Sequence, residues 1–195
     1  MTGSYLARVR VIIVTDGDET AKKAVEIASR DLGLFPLKIT AGNPTNLNGK
    51  EVLNCILQSP KEPVVVMVDD GGEKGMGPGE RVIEYLINYP EQVKILGLVA
   101  VASDARVKGV EVDCSVTCDG RLTRSPVNKY GQEEKKGHYR LEGDTVEVLR
   151  KHSQLLIIGC GDPGKMNGHD AVKHGAAVTR KCFQEIIEGS RTLIV

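Results

Sequence analysis

Apolar positions along the chain fall into short runs, separated by longer segments in which they recur every three or four residues. The runs are Val9 to Thr15, Leu37 to Ala41, Val64 to Val68, Lys94 to Val101 and Leu155 to Ile158. Turn-forming residues bound them and β-branched residues are frequent, so they predict five strands. Val64 to Val68 is apolar at every position, which suits a parallel strand covered on both faces. The intervening segments predict helices. Asp18 can cap one whose Ala21, Ala24, Val25, Ala28 and Leu32 form a stripe, with Gly33 as its stop. Asn48 and Glu51 form a capping-box pattern ahead of Val52, Leu53, Ile56 and Leu57. Pro78 opens a third helix carrying Val82, Ile83, Leu86 and Ile87, and Pro90 lies beyond its end. The last helix runs from about Ala176 to Glu188.

This alternation predicts an α/β fold: a three-layer αβα, Rossmann-like, mostly parallel sheet of about five strands, in one domain over residues 1–195. The pattern changes near residues 108–142. Val110, Val112, Cys114, Val116 and Cys118 alternate, and Asp119-Gly120 supplies a tight turn before Leu122, which predicts an antiparallel hairpin insertion. Asn128 to Lys136 is polar and charged, the mark of a solvated connection. Asp144 and Glu147 match a second capping box before a short helix.

Composition narrows the function classes. Of 195 residues, 41% are hydrophobic, enough for a substantial core. Lys plus Arg equals Asp plus Glu at 26 each, so no net field favours a nucleic-acid backbone or an anionic membrane. The absence of Trp, with two Phe and five Tyr, leaves few platforms for stacking bases. No apolar run approaches the roughly 20 residues of a membrane helix. The first residues, MTGSYLARVR, do not read as a secretory leader. An intracellular protein is expected. Five cysteines without a Cys-x-x-Cys pair argue against a disulfide scaffold or a zinc site. His138, His152, His169 and His174 lack metal-ligand spacing and read as surface residues.

The candidate chemistry lies where the strands end, because ligands of open parallel sheets bind beyond the strands' carboxyl ends. The first strand ends in Asp16-Gly17-Asp18, the second in Gly42-Asn43-Pro44-Thr45, the third in Asp69-Asp70-Gly71-Gly72 and the fifth in Gly159 to Lys165. Clustered carboxylates repel unless a hard cation or hydrogen-bond donors share the charge, so Mg²⁺ or Ca²⁺ on Asp16, Asp18 and Asp69 is one reading. Helix capping and turn formation by the same residues is the other. The last loop partly matches two nucleotide motifs, Gly159-x-Gly161-x-x-Gly164 and a phosphate loop ending Gly164-Lys165. Met166 stands where a hydroxyl would hold Mg²⁺, Pro163 removes a backbone donor, and a dinucleotide loop normally opens the chain's first βαβ unit. A small anion held by backbone amides and Lys165 fits better. The candidate ligand-binding set is therefore Asp16, Gly17, Asp18, Asn43, Thr45, Asp70, Gly71, Gly72, Gly161, Asp162, Gly164 and Lys165. Asp16-Gly17-Asp18 is also similar to the metal aspartates of primase-type domains, but the earlier strand that would carry their glutamate is missing. Ser103 lacks a nucleophile's sequence setting, and no catalytic residue is assigned.

Taken together, VTDGD (14–18), GNPT (42–45), VVVMVDDGGEKGMGPGE (64–80), VASD (101–104), GDTV (143–146) and GCGDPGKM (159–166) resemble the soluble, non-membrane member of the stage V sporulation protein AE family. The likeness extends over nearly the whole chain; Cys160 and Pro163 depart from it, standing where apolar residues such as Ile are expected. The resemblance implies a protein of spore-forming Firmicutes, encoded with the proteins that move calcium dipicolinate into the developing spore and release it in germination. It implies a location in the cytoplasm of the sporulating cell and at the periphery of the spore inner membrane. Its expected partners are the other stage V proteins of the dipicolinate channel, through which it would meet the membrane, and a second copy of itself. No enzyme activity comes with the resemblance. Three functions stay open: a ligand- or partner-binding accessory, a Mg²⁺-dependent enzyme acting on a phosphate-containing small molecule, and a purely structural partner.

Overall fold

The computed structural model describes residues 8–192 other than 74 and 106. The first seven residues, where a leader would begin, lie outside this range. Among the described residues, seven strands form one sheet in the order β2-β3-β1-β4-β7-β5-β6. They are β1 (Val9–Val14), β2 (Phe35–Pro36), β3 (Val64–Met67), β4 (Val93–Val101), β5 (Cys114–Val116), β6 (Leu122–Thr123) and β7 (Ile157–Cys160). All neighbouring pairs are parallel except β5 with β6. The helices are α1 (Glu19–Asp31), α2 (Gly49–Leu57), α3 (Pro78–Ile87) and α4 (Ala177–Thr192).

Alternate side chains of each central strand face opposite ways, and each face has its own apolar layer. Val11, Ile13, Val64, Val66, Leu98 and Ala100 pack with Val52, Leu53 and Ile56 of α2 and Val82, Ile83 and Leu86 of α3. Ile12, Val14, Val65, Met67, Val99 and Val101 pack with Ala21, Val25 and Ala28 of α1 and Val178, Phe183 and Ile186 of α4. The result is the three-layer αβα arrangement.

Helix ends follow local chemistry. Asp18 accepts the amides of Thr20 and Ala21 and starts α1, and Gly33 follows its end at φ 69. The reciprocal Asn48–Glu51 box starts α2. Neither α3 nor α4 is capped by an adjacent side chain. The Asp70 carboxylate takes the amides of Gly79 and Glu80, and that of Asp170 takes Val178 and Thr179.

Two expected elements differ, and a third gains a further partner. The strand read at Leu37 to Ala41 is the short β2, followed by a 3-10 turn over Lys38–Thr40. There Thr40 Oγ1 accepts the Met67 amide at 3.0 Å, so a side chain does a strand's pairing. The antiparallel hairpin expected after residue 108 is present as β5 and β6, and β5 in addition continues the parallel sheet beside β7. Asp144 makes no capping box: the short helix is a 3-10 segment, Glu147–Lys151, entered from Val146 without a side-chain cap. Asp144 Oδ2 instead accepts the Gly72 amide at 3.1 Å.

Candidate functional site

From β1 the chain crosses to the edge strand β2, returns inward to β3 beside β1, and resumes on the other side of β1 with β4. Loops part at such a reversal and leave a crevice over the strand ends. Thr15 fixes its floor, since Thr15 Oγ1 accepts the Val101 amide at 2.9 Å and locks the end of β1 to the end of β4. Above it lies a cleft of about 230 Å³ lined by Asp16, Asp18, Asp69, Asp104, Asp144 and Asp162, with Asn43, Ser103, Lys129 and Lys165. Six carboxylates therefore face two ammonium groups. Larger clefts exist, including one of about 360 Å³ beside the starts of β5 and β7 with Arg140 and Arg150, but the carboxylates gather at the smaller one.

Asp16 is 8% exposed, and its Oδ1 accepts the Asp18 amide at 3.0 Å. Burial, opposed by that amide and reinforced by the charges of Asp18, Asp162 and Asp69, pushes its carboxyl up to about 8. Asp18 behaves oppositely. Burial works against its charge too, but the Lys165 ammonium and the Ala21 and Thr20 amides outweigh it and hold the carboxyl below its usual range. Burial raises Asp162 despite Lys165. Lys165 bridges the two carboxylates, with Nζ 2.6 Å from Asp18 Oδ2 and 3.0 Å from Asp162 Oδ1. Burial disfavours its charge, yet the two acids keep the ammonium above its usual range.

Asp16, Asp18 and Asp162 each offer an oxygen within 4.8 Å of the others, a spacing that suits one hard cation. Asp69 borders the same cleft, but both its oxygens receive amides, Gly17 at 3.0 Å and Gly71 at 2.7 Å. The third carboxylate of the trio is thus Asp162, supplied by the β7 loop. Burial also raises Asp69.

The remaining sequence candidates divide by role. Asn43 lines the cleft. Thr45 is buried, and its hydroxyl accepts the Asp69 amide at 2.7 Å. Asp70 lies at the start of α3, with its amide on Thr145 Oγ1, outside the cleft lining. Gly71 and Gly72 turn the chain at positive φ. Gly17 must lack a side chain, because a Cβ would stand 2.2 Å from the Gly42 carbonyl oxygen. Gly164 turns at φ 76. The expectation of an anion cradle on this loop's amides needs correction. Asp162 N donates to Lys129 O and Lys165 N to Asp162 O, while Gly164 N donates to Asp170. No helix start follows the loop directly; a 3-10 turn over Met166–Gly168 does. Side-chain ammonium groups are left to meet an anion.

Lys129, Asp104 and Asp144 were not among the sequence candidates. Lys129 sits in the polar stretch read as a solvated connection, yet it pairs with Asp104 and lies 5.2 Å from the Tyr130 ring centre. Gly161 admits this loop, since a Cβ there would meet Gly131 N at 2.6 Å and Lys129 O at 2.9 Å. The only local sign was the turn chemistry of Asn128 and Gly131, which does not reveal where the turn docks.

The family model for stage V sporulation protein AE1 matches residues 10–190. The chain belongs to that family. Every loop of the acidic cleft falls inside the matched span, so the cleft is part of the stage V sporulation AE1 domain. A comparison with curated proteins finds no match. Among solved structures, the chain is similar to a de novo designed PLOOP2X3_50 fold protein solved by solution NMR, at 14% identity and a TM-score of 0.44, covering 94% of this chain and 96% of that one. Membership in the AE1 family gives the chain a role in sporulation. Among the described residues no helix is long and apolar enough to cross a membrane.

Proposed function

We propose that this sporulation protein is a non-catalytic, ligand-binding accessory of the spore's calcium dipicolinate system, working beside the stage V membrane proteins at the periphery of the spore inner membrane. The observation that carries the reading is the grouping of Asp16, Asp18 and Asp162 within 4.8 Å of one another with Lys165 already bridging two of them. A hard divalent cation competes with that ammonium for the same oxygens. Once displaced, Lys165 is free to meet a carboxylate of the accompanying anion, and Lys129 supplies a second cation across the cleft. The site therefore suits a cation and a small dianion together better than either alone.

Isothermal titration calorimetry with CaCl₂, with sodium dipicolinate and with both together tests this. Each is expected to bind more tightly in the presence of the other, a reciprocal coupling that linkage requires. Asp162→Asn should abolish it. Absence of heat and of any thermal shift with all three titrants would overturn the proposal.

A further inference from the structure

We propose that the cleft of about 360 Å³ beside the starts of β5 and β7 is a second ligand site, one that takes a small zwitterion: a free amino acid with an apolar side chain. It lies at the opposite ends of the strands from the acidic cleft and does not rest on the reading given above.

The cleft exists because one layer of the fold is incomplete. On this face of the sheet α2 and α3 pack over β1, β3 and β4. Beyond α3 the layer continues as the five-residue 3-10 segment Glu147–Lys151, about 10 Å long at the rise of such a turn and too short to roof β5 and β7. The chain leading into β5 closes the other side. Val110 is anchored by a reciprocal backbone pair with Leu141, at 2.9 and 2.8 Å. Asp113 is anchored to Ile157, whose carbonyl accepts the Asp113 amide at 2.9 Å and whose amide donates to Asp113 Oδ2 at 2.7 Å. Between these anchors Glu111 and Val112 form one wall.

The lining has two parts of different chemistry. Val110, Leu149 and Ile157 are buried core residues that, with the half-buried Leu155, give the cleft its apolar surface. Arg140, Arg150, Glu111 and Asp113 add two guanidiniums and two carboxylates. These charges are only partly spent on one another. Arg140 Nη2 donates to Glu111 Oε1 at 3.2 Å. Arg150 stands 4.0 Å from its acid, Glu147, beyond hydrogen-bonding reach, which leaves its planar fork of donors for a ligand carboxylate. Asp113 gives Oδ2 to the Ile157 amide and keeps Oδ1 for a ligand donor.

An apolar surface edged by balanced opposite charges selects its ligand. A polyanion meets two carboxylates, and a plain hydrocarbon desolvates the charges without pairing them. A zwitterion answers both signs at once: its carboxylate faces Arg150, its ammonium faces Asp113, and an apolar side chain covers Val110, Leu149 and Ile157. The volume lies at the lower end of the roughly 300–1,000 Å³ of small-molecule sites, which suits a single amino acid.

Methyl-resolved NMR of the full chain with L-leucine tests the proposal, with three analogues beside it. Isocaproate lacks the ammonium, isoamylamine the carboxylate and glycine the side chain. Leucine is expected to shift the Val110, Leu149 and Ile157 methyls saturably, and each analogue to bind at least tenfold more weakly. Arg150→Gln and Asp113→Asn, both at exposed positions, should each weaken leucine binding by a similar factor while the remaining methyl shifts stay in place. No saturable shift with millimolar leucine overturns the proposal. Isocaproate binding as tightly as leucine overturns it too, since the cleft would then read a carboxylate alone, and so does unchanged leucine affinity in either variant.

Discussion

Asp170 accepts the Gly164 amide at 2.7 Å with the same carboxylate that caps α4. Its Oδ2 also takes the Thr179 hydroxyl at 2.6 Å, and the residue is fully buried. The position of the Lys165 loop and the start of a helix are therefore one structural decision. Asp170→Ala leaves three amides without an acceptor in a dry setting and should lower unfolding free energy by about 3 kcal/mol or more. Urea denaturation measures this; a loss under about 0.5 kcal/mol would mean that water replaces the carboxylate.

A buried acid on the opposite layer gives stability a pH slope. Glu80 accepts the Val148 amide at 2.9 Å and so joins α3 to the Glu147–Lys151 turn. Burial, with the nearby Asp70 charge, raises its carboxyl from 4.5 to about 7. The folded state then holds a proton that the unfolded chain has released, so stability falls as pH rises from about 4.5 to 7 and levels off above. Asp70, raised by burial to about 6, adds to the same slope. Glu80→Gln keeps an acceptor for Val148 and should flatten the slope, with a higher Tm than wild type at pH 8 and little difference at pH 4. Parallel melting curves at those two pH values decide it.

Asp16 follows the same sign over a wider window, from 3.8 to about 8. In EDTA, Asp16→Asn should stabilise the protein at pH 9 by on the order of 3 kcal/mol, because the amide oxygen can still accept from Asp18 while no buried charge forms. The gain should shrink toward zero at pH 4. A saturating divalent cation should also shrink it, since the ion compensates the wild-type charge. An Asn variant less stable than wild type at pH 9 in EDTA would show that Asp16 is better solvated than its burial indicates.

Lys165 is expected to have opposite effects on the two ligands. Lys165→Met removes the competitor for Asp18 and Asp162, so Ca²⁺ affinity should rise severalfold while affinity for dipicolinate falls. Calorimetry with each ligand separately reads both signs. A parallel fall in both would make Lys165 a structural clamp instead.

Gly17→Ala probes the steric limit of the first loop. The new methyl would press on the Gly42 carbonyl and on Asp69, costing about 1–3 kcal/mol and moving Asp16 relative to Asp18. Cation binding should weaken by tenfold or more. Unchanged binding would show that the loop relaxes without disturbing the trio.

Much of this architecture was legible because its signals are local. The continuous apolar run at Val64 to Val68, the Asn48–Glu51 pair and Pro78 each act on their immediate neighbours. The misread or missed features depend on distant partners. Thr40 could be placed in a 3-10 turn only by knowing that its hydroxyl meets Met67. The alternation of residues 110–118 marks a strand, but its partner β7 lies some forty residues later in the chain. The same holds at the cleft. Asp16 and Asp18 stand two apart and were found together, whereas Asp162 joins them, and Lys129 enters, only after the sheet has closed. The Asp69 reading was weakened by two glycine amides that no spacing rule reveals.

The contact of Gly161 with Gly131 and Lys129 lies to one side of the acids and carries no charge, yet it sets the gauge of the cleft. The wall bearing Lys129 approaches the Asp162 wall as closely as it does because one methyl group is missing. Substituting a larger residue at 161 would act as a spacer, widening the opening while leaving every carboxylate and ammonium in the sequence unchanged. Selection for ligands of different breadth can therefore act on a position outside the cleft lining.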